Sequence, residues 1–325
     1  MRLFTNANYP IMHWRKRAYA VTALLFLATF VAMGVNVAQL GSWLNYGVDF
    51  RGGTLVHLAF NRPVEITDVR AAARSAGRED WEISRFGGNN EVVVRKETFQ
   101  ENLGRSPEED VRDALRSRFP DNTYKVVRTE AVGPKVGNEL QYRALIAILI
   151  SLAITMVYLA VRFEWRFGLA AIAATFHDIL ITLGILAITR NEVSLGTVAA
   201  FLTIVGYSLN DTIVVFDRIR ESLAKPRHDQ TYLEILNRAI NETLPRTVLT
   251  ASGTLVTLIS LFLFGGPVIR DFALVLILGI FIGTFSSIFV AAPVLYFIQN
   301  KWPNKPARQQ AASSRSARPR ERTTV

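Results

Sequence analysis

The chain has 325 residues, half of them apolar, no cysteine and a formal net charge of +10. So basic a soluble protein would suggest nucleic acid, but the apolar residues gather in blocks of about 20 and most of the excess charge lies between and after them, which points to a membrane instead. Without cysteine no disulfide can staple any part of it, so a domain outside the membrane needs its own hydrophobic core.

In chain order, residues 1–17 bring Arg15, Lys16 and Arg17 up to a first apolar block at 18–40. That block is too long for a secretory signal and lacks a clear small-residue cleavage site, so it is predicted to be an uncleaved anchor. Residues 41–139 then form the one long stretch between blocks. Within it "TLVHLAF" (54–60), "WEISRF" (81–86), "NEVVVRK" (90–96) and "TYKVVRTEAV" (123–132) have strand composition, while "VEITDVRAAARSAG" (64–77) and "SPEEDVRDALRSRF" (106–119) open with acidic first turns and read as helices. "GGNN" (87–90) supplies a hairpin turn between the two middle strands. The order strand, helix, strand, strand, helix, strand is that of a ferredoxin-like α+β domain, a fold that names no function by itself.

Five more apolar blocks follow, at 140–161, 167–189, 195–216, 247–264 and 272–298, each able to cross about 30 Å of hydrocarbon at about 1.5 Å per residue. Residues 217–246 are predicted to be a cytoplasmic loop with an amphipathic helix, and 299–325 a disordered, basic, Ser/Ala/Arg-rich tail with affinity for the membrane lipid surface. The predicted architecture is a polytopic α-helical membrane protein of six transmembrane helices, with the ferredoxin-like domain between the first and second. Of the 37 Lys and Arg, nineteen fall on the side of the two termini, while the two short loops on the other side carry only Arg190 and Arg270, each beside an acid. This bias predicts cytoplasmic termini and an extracytoplasmic α+β domain.

No phosphate loop, HExxH motif, Cys or His cluster or nucleophile elbow is present, so enzyme and metal readings lack their parts and no cofactor is expected. Ionisable residues inside the apolar blocks are costly and point instead to ion coupling. His177 and Asp178 lie near the middle of the third block, and Asn210 and Asp211 about two turns from the cytoplasmic end of the fourth. Arg246 precedes the fifth, whose Thr247, Thr250, Thr254 and Thr257 share one helical face. Structural readings stand beside the functional ones. The threonines can be interhelical hydrogen-bonding glue, Arg246 a snorkelling anchor, His177-Asp178 a self-satisfied contact and Asp211 half of a buried ion pair. Gly279, Gly283 and Ser287 read as close helix packing, and Gly52-Gly53 as a tight turn or bulge entering the first strand.

Taken together, "YGVDFRGGT" (46–54), the "HD" of the third block, "GYSLNDTIVVFDRIRE" (206–221) and "LPRTVLTASGTLVTLISLFLFGGP" (244–267) resemble the SecF family. Its members are the smaller membrane subunits of the bacterial SecD-SecF protein-export complex, within the resistance-nodulation-division superfamily of proton-driven exporters. The resemblance runs to about residue 299. It implies a multi-pass protein of the bacterial cytoplasmic membrane that pairs with SecD, works with the SecYEG translocon on a translocating preprotein, and meets YajC as a further partner. It makes Asp211 the main proton-binding carboxylate and Arg246 its basic partner, with Asn210 and Tyr207 shaping the site and His177 and Asp178 in a secondary polar motif. Asp49, Arg51, Gly52 and Gly53 match the motif just outside the first span. Thr250 and Thr254 belong to the motif around the fifth span. The coupling ion stays open between proton and sodium. A multidrug-exporter half would share such a relay but would normally be part of a twelve-span chain with two large outer domains; a pure assembly subunit would tolerate a neutral residue at 211.

Overall fold

The computed structural model describes residues 7–86, 88–96, 106–120, 122–224 and 230–302. Gly87 of the expected hairpin turn and residues 303–325 of the expected tail lie outside the described residues.

A short 3₁₀ turn, Ile11–Trp14, leads into α1 (Arg15–Leu40), which Gly41 ends in a left-handed conformation. The chain then forms β1 (Asn45–Tyr46), the single-turn helix α2 (Val48–Arg51), β2 (Gly53–Phe60), α3 (Ile66–Ser75), β3 (Trp81–Arg85), β4 (Glu91–Lys96), α4 (Pro107–Arg116) and β5 (Tyr124–Val132). α4 starts at a capping box, with the Ser106 hydroxyl accepting from the Glu109 amide and the Glu109 carboxylate from the Ser106 amide. The four long strands form an antiparallel sheet in the order β3-β4-β2-β5, the ferredoxin-like arrangement. Alternation along the strands sends Val56, Leu58, Phe60, Ile83, Val92 and Val94 to one face, where they pack on Val69, Ala72, Val111 and Leu115 of α3 and α4. Leu55, His57, Val93 and Arg95 point from the other face toward the helical bundle.

The bundle continues with α5 (Pro134–Arg162), α6 (Trp165–Thr189), β6 (Glu192–Val193), α7 (Leu195–Ala224), α8 (Tyr232–Phe264), α9 (Gly266–Ser286), a π-helical segment Ser287–Ala291 and α10 (Ala292–Lys301). Among the described residues six helical stretches, with α9 to α10 taken as one, are long and apolar enough to cross a membrane. They divide into two groups. In α6, α7 and the α9–α10 stretch 61, 50 and 61% of the most apolar window is buried inside the molecule, against 11, 6 and 17% in α1, α5 and α8. The first three are the bundle's interior, and the second three turn apolar side chains outward. Residues 225–229 of the expected loop lie outside the described residues; among the described ones the helix expected within 217–246 is no separate element, because α8 runs unbroken from Tyr232 through Pro245 into the fifth span.

Small residues set the closest approaches. A Cβ at Gly184 would overlap the Thr29 side chain of α1, and one at Gly279 would overlap Ile204 of α7. The expected small-residue face of the sixth span is thus filled from within by α7. At the base of the α/β domain, Gly52 and Gly53 take φ of +76° and +105°, the left-handed region that side chains disfavour. Phe50 there abuts α5, where the Gln141 side chain donates to its carbonyl at 2.9 Å and Gly137 leaves no room for a Cβ. β1 pairs in parallel with β6, so the segment before the double glycine is stitched to the loop between α6 and α7.

Candidate functional site

Asp178 sits midway along α6, fully buried against α7 and α9. One carboxylate oxygen lies 3.0 Å from Nδ1 of His177, and the other accepts a hydrogen bond from the Ser208 hydroxyl of α7 at 2.6 Å. Gly283 of α9 makes this possible, since a Cβ there would press on Ser208 and reach the carboxylate. His177 is also buried, its ring edge-on to Phe26 of α1, and its Nε2 makes no hydrogen bond among the described residues. The pair is therefore more than a contact between sequence neighbours, because it recruits a hydroxyl from a second helix.

Three residues past Ser208, on the same face of α7, comes Asp211, about 4.5 Å further along the axis. It is 3% exposed, and its Oδ2 makes no hydrogen bond among the described residues; nor does Oγ1 of Thr247, buried on α8. Leaving a buried carboxylate oxygen unmatched is expensive. Arg246 acts on Asp211 through space, yet its side chain is exposed and no ion pair joins the two among the described residues. Arg246 directly follows Pro245, which has no amide hydrogen to give the Asn241 carbonyl. Just before that weak point the helix is clamped, with Tyr9 bonded to the Asn241 side chain through both its amide and its carbonyl and Met12 to that of Asn237.

The remaining expected residues are spread out. Asn210 faces outward from α7. Tyr207 crosses to α8, its hydroxyl donating to Thr254 at 3.2 Å. Thr250, Thr254 and Thr257 return their hydroxyls to the carbonyls four residues earlier in their own helix, so among these threonines and the described residues only Thr254 is hydrogen-bonded to another span. Asp49 lies far from the bundle centre but touches the same helix, accepting from the Leu195 amide at 2.9 Å and so capping the start of α7. Arg51 is exposed. Among the described residues no group of three or more His, Cys, Asp and Glu could hold a metal ion.

Sequence reasoning passed over Ser208. Its signal was its position, i−3 from Asp211 inside an apolar helix, which puts both on one face. What the arrangement can do chemically is hold a proton on either of two buried carboxyls, with a hydroxyl that can both donate and accept between their helices.

Two family models match the chain, "Protein export membrane protein SecD/SecF, C-terminal" over residues 111–301 and "SecD/SecF GG Motif" over residues 37–64. The Protein translocase subunit SecF of Gemmatimonas aurantiaca is 44% identical over 330 residues, covering 100% of this chain and 96% of that one. That of Rhodothermus marinus is 39% identical over 325 residues, covering 97% and 100%. Among solved structures, SecDF from Thermus thermophilus, described as a translocon-associated membrane protein, matches with a TM-score of 0.78 at 38% identity. The match takes in 92% of this chain and 40% of that longer one. A SecDF in a super-membrane-facing form matches 95% of the chain with a TM-score of 0.63 at 37% identity.

Proposed function

This multi-pass membrane chain belongs to the SecD/SecF family of protein export membrane proteins, and on that premise we propose that it is an accessory subunit of the Sec translocase that couples the proton gradient to preprotein export. The observation that carries the coupling is the presence of two buried carboxyls in the interior of the bundle: Asp178, which accepts from the Ser208 hydroxyl of α7, and Asp211, three residues further along that helix. Buried ionisable groups in spans are retained for function because they cost stability.

In this reading the termini are cytoplasmic, the α/β domain faces away from the cytosol, and the membrane is the bacterial cytoplasmic membrane. Asp211 binds and releases the transported proton. Arg246, on the helix segment hinged at Pro245, approaches the carboxylate or withdraws from it and so alters its proton affinity. Asp178, with His177 and Ser208, carries the proton path toward the middle of the membrane. Tyr207 and Thr254 join α7 to α8, with Thr250 one turn earlier on α8 and Asn210 beside Asp211 on the outward side of α7. One charge moved through 100 mV is worth about 2.3 kcal/mol, enough to shift a two-state equilibrium nearly fiftyfold. Helix movement then carries the α/β domain, which holds or releases the translocating chain beside the SecYEG channel. SecD is the expected partner against the outward apolar faces of α1, α5 or α8, and YajC a further one. No cofactor is needed beyond the coupling ion.

The test is export driven by an imposed gradient across vesicles that contain the complex. Asp211→Asn keeps size and much of the hydrogen bonding while removing the titration, so insertion and assembly should persist and gradient-driven stimulation should be lost. Arg246→Lys should also impair it, because an ammonium replaces a guanidinium poorly, and the double variant should add little. Full stimulation with Asp211→Asn at normal abundance rejects the relay and leaves an assembly subunit. Stimulation by a sodium gradient at zero proton gradient would replace the proton as coupling ion.

A further inference from the structure

Glu192 lies in the loop between α6 and α7, the two helices that carry Asp178 and Asp211. Although it sits outside both spans, it is largely buried, and its carboxylate meets the Arg95 guanidinium of β4 at 2.9 Å. Arg95 is buried too, and its other terminal nitrogen reaches Glu82 of β3 at 3.4 Å. The groups facing Glu192 come from every side: Arg95, Arg128 and Glu130 from the sheet, Asp49 from α2, and Asp271 across the same narrow cavity. Burial pushes the Glu192 carboxyl above the ordinary carboxylate range, with Arg95 and Arg128 pulling it back. Space for it is made on purpose. A Cβ at Gly47 would overlap the Glu192 carboxylate, and β1–β6 pairing fixes Asn45 opposite Glu192.

A buried ion pair is a poor device for stability, since apolar residues of similar size commonly do as well. Its value is geometric. Arg95 stands on β4, an inner strand of the sheet order β3-β4-β2-β5, so force applied to it reaches a rigid element and not a loop tip. Any tilt of α6 or α7 relative to its neighbours must carry the loop bearing Glu192.

We infer that the Glu192–Arg95 ion pair is the latch that makes the α/β domain move as one with α6 and α7. The inference rests on the reading that helix movement drives the domain, but it concerns positioning residues that touch no proton path and makes its own structural prediction. The cysteine-free sequence allows direct measurement. Spin labels at Arg74→Cys on α3 and Ile188→Cys at the end of α6, both exposed positions, report the distance between domain and bundle in the full chain with its partner subunit in membranes. The intact chain should give a narrow distance distribution. The double variant Glu192→Gln/Arg95→Met, which leaves no orphan charge, should broaden it and lose gradient-driven export while keeping gradient-driven proton uptake. Asp211→Asn should leave the distribution narrow, so failure of the relay and failure of the latch read differently. An unchanged distribution in the double variant overturns the latch. Should that variant not accumulate, Arg95→Lys keeps the charge without the guanidinium geometry, and an unchanged width there overturns it equally.

Discussion

The buried charges of the α/β domain and those of the helical bundle are treated differently. On the sheet the guanidinium groups are held against carboxylates: buried Arg95 meets Glu192, and half-buried Arg128 meets Glu130 at 2.5 Å. Inside the bundle Asp178 is held by a hydroxyl and an imidazole, and one oxygen of Asp211 is held by nothing among the described residues. The domain's charges fix a geometry. Asp211 has no such partner among the described residues, at a cost that the packing of the bundle must offset.

The sharpest separation of the two halves comes from their cores. Phe60 is 1% exposed and packs on Phe119 and Tyr124, so Phe60→Ala should cost the domain about 3–5 kcal/mol. Limited proteolysis should then cut within 53–132 while α6 to α10 stay protected; simultaneous loss of both would show that the halves fold as one unit. Next in size, Gly279→Val overfills the contact with Ile204 and should destabilise the bundle by about 1–3 kcal/mol. Unfolding in detergent should shift with the domain's own protease resistance unchanged.

Ser208→Ala asks whether the carboxyls of the bundle depend on one another. Losing a bond to Asp178 should cost about 1–3 kcal/mol and slow gradient-driven export, whereas Thr203→Ala on the exposed face of α7 should do neither. Equal effects would remove Ser208 from the path. The smallest effect is on the domain side. Burial lowers the pKa of His57 below its ordinary 6.5, so the stability it contributes is present above that value and lost as pH falls toward the folded-state pKa. The domain's melting temperature should drop between about pH 7 and 5, and His57→Phe should flatten that slope. A slope unchanged by the substitution would assign the pH dependence to other groups.

Much of this was legible along the chain, because the signals are local. Apolar length marks helices that can cross a membrane, strand-forming composition marks the strands of the sheet, and the acidic first turn marks the start of α4. The need for positive φ at Gly52-Gly53 was equally local. Asp211 and Asp178 stood out for the same reason, as carboxylates in apolar surroundings. What the sequence could not supply was pairing at a distance. Nothing near Asp178 names Ser208, 30 residues away, and nothing near Glu192 names Arg95, 97 residues away, because an ordinary serine or arginine acquires its role only when another element is folded against it. Which three spans form the interior was also undecided, since all six are apolar and hydropathy does not distinguish a helix facing lipid from one facing its neighbours. Tertiary packing settled that through the contacts that Gly184, Gly279 and Gly283 leave open.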